Sequence, residues 1–183
     1  MKFKEKSVII DAKESKRIVD RMAYEILEEN RDAQNVVIIG IQSKGALLAM
    51  ALKNKLKELE NISIPMGTLD ITFYRDDLTR LNAHPIVKDT DIPFSIEDKN
   101  IILVDDVLYT GRTIRSAIDE LFDMGRPNKV ELAVMVDRCQ RELPIAADYI
   151  GRTAPTGKNE YIGVEISQDG EIERVSICSK EEN

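Results

Sequence analysis

The chain has no tryptophan, one histidine and two cysteines among 183 residues, and only 5% of it is aromatic. A core without large aromatics has to be built from aliphatic strands and helices, and 43% hydrophobic residues suffice for one. The lone His84 lies in a polar stretch, which argues against a histidine-built metal site or a catalytic triad. Cys139 and Cys178 come with no export signal and are expected to be free thiols. No apolar run reaches the length of a transmembrane helix. The opening Met1-Lys2-Phe3-Lys4-Glu5-Lys6 is charged where a signal peptide would be apolar. A cytoplasmic protein with no membrane contact is expected. The formal net charge of −7 works against indiscriminate binding of nucleic acid.

The length suits one domain, expected over residues 1–183. Ser7-Val8-Ile9-Ile10 reads as a short edge strand, and Asp11 with Glu14 resembles a capping box. Ile18, Met22 and Ile26, flanked by Val19 and Leu27, fall on one face of a helix ending near Asn30. Val36-Val37-Ile38-Ile39 is a buried-strand signal closed by Gly40, and Leu48, Leu52, Leu56 and Leu59 stripe the next helix. Residues 62–74 and about 93–96 look like the strands of a hairpin around a polar, mobile loop at about 75–92. Residues 101–104 and 130–136 supply the remaining central strands, and residues 161–166 and 172–177 an antiparallel pair around Gln168-Asp169-Gly170. Strands alternating with helices indicate an α/β fold, a central, mostly parallel sheet flanked by helices.

The most informative segment is Ile101-Ile102-Leu103-Val104-Asp105-Asp106-Val107-Leu108-Tyr109-Thr110-Gly111-Arg112-Thr113. A buried strand runs into two carboxylates, then a short turn, then a helix marked by Ile114, Ile118, Leu121 and Phe122 and stopped at Gly125. In open α/β sheets ligands bind at that end of the strands. The backbone N–H groups of Tyr109, Thr110, Gly111, Arg112 and Thr113, backed by the helix N-terminus, suit an anion such as phosphate, with the Thr110 and Thr113 hydroxyls as further donors. Asp105 and Asp106 suit the paired hydroxyls of a ribose or a magnesium shell. Together they describe a site for a ribose phosphate. The plainer alternative is a capping Asp pair before an ordinary turn. A second strand-to-helix turn, Gly40-Ile41-Gln42-Ser43-Lys44-Gly45-Ala46, offers Ser43, Lys44 and the N–H groups at Gly45 to another anion, or is a plain turn with Lys44 in water.

The Asp105-to-Thr113 segment resembles the phosphoribosyl-pyrophosphate (PRPP) motif of the type I phosphoribosyltransferases. Its Val-Leu-Tyr-Thr-Gly-Arg-Thr form is similar to that of the pyrimidine-operon attenuator/uracil phosphoribosyltransferases, the PyrR family. Asp70-Ile71-Thr72-Phe73-Tyr74-Arg75-Asp76-Asp77-Leu78, Gly125-Arg126-Pro127, Arg141-Glu142-Leu143-Pro144-Ile145 and Ala147-Asp148-Tyr149-Ile150-Gly151 match the same branch in order. The likeness extends over residues 8–177.

The resemblance implies a single-domain type I phosphoribosyltransferase fold with a small hood and a flexible loop. It implies synthesis of UMP and pyrophosphate from uracil and PRPP, with Mg2+ carried mainly by PRPP and Asp105 and Asp106 as further ligands. Asp105 and Asp106 would be catalytic, as would Arg75, in the loop whose closure excludes water. Ser43, Lys44 and Gly45 would hold pyrophosphate, although the family often has Arg where this chain has Lys44. Asp137, Arg138 and the backbone near Ile162 would read uracil, with Cys139-Gln140 standing where a common family form has Gly-His. Many members also bind the leader of pyrimidine-operon messenger RNA under control of UMP or UTP. Arg141 and Arg152 are the RNA contacts expected here. A homo-oligomer, dimeric or higher, is implied as well. A purely regulatory nucleotide sensor, or transfer to another base, is the alternative.

Overall fold

The computed structural model describes residues 3–31, 35–71, 90–157 and 159–180. Of the loop expected at about 75–92, residues 75–89, with Arg75 and His84, lie outside the described residues. The elements are β1 (Phe3–Asp11), α1 (Ala12–Glu29), β2 (Val36–Ile41), α2 (Lys44–Glu60), β3 (Met66–Leu69), β4 (Asn100–Leu108), α3 (Arg112–Met124), β5 (Lys129–Asp137), β6 (Tyr149–Thr153), β7 (Glu160–Ile166) and β8 (Ile172–Lys180).

Five strands form a parallel sheet in the order β3-β2-β4-β5-β6. Side chains alternate between its faces. Val36, Ile38, Ile102 and Val104 pack with Leu48, Leu52 and Leu56 of α2 and with Ile18, Met22 and Ile26 of α1. Val37, Ile39, Ile41, Ile101 and Leu103 pack with Ile114, Ala117 and Leu121 of α3. Burial on both faces explains why these strands are continuous apolar runs. β1, β8 and β7 form a separate antiparallel sheet, with β8 in the middle. None of the described helices is long and apolar enough to cross a membrane.

The local signals match in detail at several places. Asp11 caps α1, accepting the Glu14 N–H at 2.8 Å. Asn30 caps its end and belongs to a buried polar cluster at the amino ends of β5 and β6. There Glu131 accepts from Lys129 (2.6 Å), Asn30 (2.9 Å) and the Tyr149 hydroxyl (3.0 Å). Burial drives the Glu131 carboxyl upward, but these three donors outweigh it and hold it below its ordinary range.

The expected hairpin at 62–74 and 93–96 is not what forms. β3 pairs in parallel with β2, and the antiparallel contact reduces to one bridge between Thr68 and Asp91. Residues 93–96 are not a strand: Pro93 has no N–H to give a ladder, and Ile96 turns into the core against α3. β6 carries no separate expectation as a strand. Its alternation is short, and its pairing with β5 comes from tertiary position.

Candidate active site

The site forms where β2 and β4 part. Their last registered pair is Gly40 with Val104. Beyond it the chain leaves β2 through α2 toward β3 on one side, and leaves β4 through α3 toward β5 on the other. This is a topological switch point, which opens a crevice at the carboxyl ends of the strands. Asp105 and Asp106 are still within β4 as it passes the crevice.

The two carboxylates occupy an apolar setting. Asp105 is 7% exposed, and its Oδ1 accepts the Asp106 N–H at 2.9 Å. Burial, and then the charge of Asp106, push the Asp105 carboxyl well above the ordinary carboxylate range. Burial raises Asp106 too, against the pull of Lys44, whose Nζ lies 3.9 Å from Asp106 Oδ2. Such a pair is completed by a positive charge or by hydroxyl donors, which fits both a divalent cation and a ribose diol. Among the described residues no group of three or more His, Cys, Asp or Glu side chains could hold a metal.

Two helix starts face this pair. α3 begins after Gly111, whose φ of +91° suits glycine and leaves no side-chain cap on the helix. Thr110 Oγ1 accepts the Arg112 N–H at 3.3 Å and keeps its own proton for a ligand. Thr113 is exposed at the first turn. α2 begins after Ser43, whose hydroxyl makes no cap bond. Ser43 and Lys44 are exposed, while Gly45 is pressed onto β4: a Cβ there would sit 2.5 Å from the Val104 carbonyl oxygen and 2.9 Å from Asp105 Cα. Only glycine lets the start of α2 approach the acid pair so closely. Helix starts at the carboxyl ends of β2 and β4 present N–H groups and positive dipole ends of the kind that suit anions, and the first of them is packed against Asp105.

The segment after β5 braces the α3 loop. Thr110 O accepts the N–H groups of Glu142 (3.0 Å) and Leu143 (3.2 Å), and Arg112 Nε pairs with Glu142 at 2.7 Å. Asp137 is buried and turns inward, accepting from the Cys139 N–H (2.7 Å) and from Arg141 (2.6 Å). Arg138 stacks on Tyr109, 3.9 Å from the ring centroid, while donating to Thr156 Oγ1 and to the Glu160 carbonyl, each at 2.7 Å. Gln140 donates to the Thr156 carbonyl. Ile162 is buried in β7 opposite Ile177, two residues after Glu160, whose carbonyl accepts from Arg138.

Both candidate RNA contacts are engaged within the protein. Arg141 donates to Asp137, to the Ile145 carbonyl (2.8 Å) and to the Tyr109 carbonyl (2.9 Å). Arg152 donates to the Ile9 carbonyl and pairs with Glu14. Tyr109 for the first, and Ile9 and Glu14 for the second, lie far off in sequence, so charge counting along the chain does not reveal them. Thr156, whose hydroxyl holds Arg138, is a residue the sequence did not single out. An isolated Thr in an irregular segment carries no periodic signal.

This arrangement is that of a type I phosphoribosyltransferase. Residues 7–169 match the phosphoribosyl transferase domain family. The solved hypoxanthine phosphoribosyltransferase of Trypanosoma cruzi superimposes with a TM-score of 0.71 over 97% of this chain and 98% of its own, at 17% identity, a likeness of fold. The "Bifunctional protein PyrR" of Deinococcus radiodurans is 47% identical over 97% of each chain. The protein of that name from Enterococcus faecalis is 49% identical over 97% of this chain and 99% of its own. The chain belongs to the phosphoribosyl transferase family, in its PyrR branch.

Proposed function

We propose that the chain transfers the phosphoribosyl group of PRPP to N1 of uracil, giving UMP and pyrophosphate, in the cytoplasm and as a homo-oligomer, a dimer or larger. The observation that carries the reading is the pair of buried Asp105 and half-buried Asp106 between two helix starts that lack a side-chain N-cap. The α3 start, residues 109–113, anchors the 5′-phosphate. Asp105 and Asp106 orient the ribose hydroxyls. Ser43, Lys44 and the Gly45 N–H take the pyrophosphate, and Lys44 leaves Asp106 to do so. Arg138, fixed by Thr156, Glu160 and Tyr109, lines the place for the base, and uracil specificity is supported by the PyrR relatives. Magnesium arriving with PRPP, shared with Asp105 and Asp106, would neutralise charge on the leaving group.

The C1–O bond to pyrophosphate breaks as N1 bonds to C1, and the N1 proton leaves with pyrophosphate or solvent. The chain's contribution is positioning and electrostatics, with the acid pair also placed to favour positive character at the sugar. Pyrophosphate release measured with uracil, hypoxanthine, guanine, adenine and orotate tests the reading. Uracil-selective release supports it. Release with another base overturns the uracil assignment, and no release with any base overturns the enzymatic one.

A second activity, binding of a pyrimidine leader RNA under UMP control, is what the likeness to the PyrR branch implies, and the relatives' name, "bifunctional", is in keeping with a second activity of some kind. Its phosphate contacts would lie on exposed basic side chains such as Lys13 and Arg17 on α1 rather than on Arg141 and Arg152. A gel shift with leader and scrambled RNA, with and without UMP, checks it; equal affinity for both RNAs removes it.

A further inference from the structure

α3 carries one buried acid that the mechanism does not use. Glu120 is 8% exposed, lies two turns along the helix from Thr113, and has Oε2 buried without a hydrogen-bond partner. Its Oε1 accepts the Thr90 hydroxyl at 3.0 Å. Thr90 Oγ1 in turn accepts the Asp70 N–H at 3.0 Å, at the carboxyl end of β3. Asp91, next to Thr90, exchanges both backbone hydrogen bonds with Thr68 (2.8 and 2.9 Å). The end of β3 then grips the turn before α2. Gln42 N–H donates to the Leu69 carbonyl at 2.8 Å, and Gln42 Nε2 donates to Thr68 Oγ1 at 3.2 Å. An unbroken series of bonds therefore joins α3, whose first turn borders one anion site, to the turn that forms the other.

We infer that Glu120 is a positioning residue: through Thr90 and the end of β3 it sets where the Ser43-Lys44-Gly45 turn stands relative to the acid pair. The inference rests on the proposed PRPP site. A buried carboxyl with an orphan oxygen is a costly way to hold one hydroxyl if only packing were needed, since a leucine would fill the space. The carboxyl faces two further acids, Asp70 at the end of β3 and Asp123 on its own helix, and Thr90 on the segment between. Burial, with a smaller push from these two acids and against the Thr90 hydrogen bond, raises its pKa. Glutamine keeps an acceptor for Thr90 and removes the charge; alanine removes both.

The test is the kinetics of Thr90→Val, Glu120→Ala and Glu120→Gln beside the wild-type protein, with thermal unfolding of each. Thr90→Val and Glu120→Ala are expected to raise KM for PRPP about tenfold, the scale of one lost buried hydrogen bond, with kcat within about threefold. Glu120→Gln, which keeps an acceptor for the Thr90 hydroxyl, is expected to keep the wild-type KM for PRPP. A merely structural role would lower the unfolding temperature in all three and leave KM for PRPP unmoved, and that result overturns the inference. If the wild-type protein shows no turnover, the functional reading fails, and PRPP affinity by calorimetry in the same variants decides the inference; no PRPP affinity in the wild type overturns both.

Discussion

Gly45→Ala probes the closeness of the two halves of the site. The added Cβ would meet the Val104 carbonyl oxygen at 2.5 Å, Asp105 Cα at 2.9 Å and Asp105 Oδ1 at 3.2 Å. Two of these are backbone atoms of a central strand, paired at Val104 with β2 and β5 and at Asp105 with β5, so β4 yields less readily than the start of α2. The start of α2 has to retreat by about 1 Å to restore ordinary contact. Overpacking of this kind costs about 1–3 kcal/mol in stability. The larger effect is on rate: Lys44 and the N–H groups of the turn move off the acid pair, and a misplacement of about 1 Å costs on the order of a hundredfold. Steady-state UMP formation with PRPP and uracil varied separately, alongside urea unfolding, measures both. The expected result is a fall of about a hundredfold in kcat/KM for PRPP with a folded protein. A folded Gly45→Ala protein within twofold of wild type would refute the argument that this approach positions the pyrophosphate turn.

Other consequences follow from single sites. Asp105→Asn keeps an acceptor for the Asp106 N–H and removes a buried charge. Because the folded-state pKa of Asp105 is raised, its stabilising contribution is complete below the unfolded value and is lost as pH rises through the folded one. The urea midpoint of the variant relative to wild type should therefore climb as pH rises above the ordinary aspartate value of about 4; a constant difference would contradict the assigned burial. Tyr149→Phe removes the hydroxyl that bonds Glu131 and Asn30. It should lower stability by about 1–2 kcal/mol with turnover unchanged, read by urea unfolding and the UMP assay. Arg138→Lys loses the paired contacts to Thr156 and the Glu160 carbonyl. It should raise KM for uracil about tenfold and leave KM for PRPP nearly unchanged in steady-state kinetics.

Legibility in the sequence followed the range of the interactions. The Asp105-to-Thr113 segment is local: strand, acids, turn and helix are contiguous, so one stretch of residues shows the chemistry of half the site. The α1 and α2 stripes and the Asp11 cap are local too, and the structure has them where periodicity places them. What was not legible depends on pairs far apart in the chain. Residues 62–74 read as hairpin because alternation marks a strand without naming its partner, and β3 joined β2. The distant partners of Arg141 and Arg152, the Tyr109 carbonyl for one and Ile9 and Glu14 for the other, were not legible because tertiary contact fixes them. Glu120 carried no signal in the sequence; only the fold brings Thr90 and Asp70 to it.

The central claim is that the acid pair between two helix starts is where PRPP binds. Titration calorimetry of PRPP with magnesium into the wild-type protein and into the Asp105→Asn, Asp106→Asn double variant tests it most directly. The account predicts one PRPP per chain for the wild type and a loss of at least tenfold in affinity for a double variant that unfolds at or above the wild-type midpoint. Equal affinity in the two proteins would place PRPP elsewhere and contradict the account.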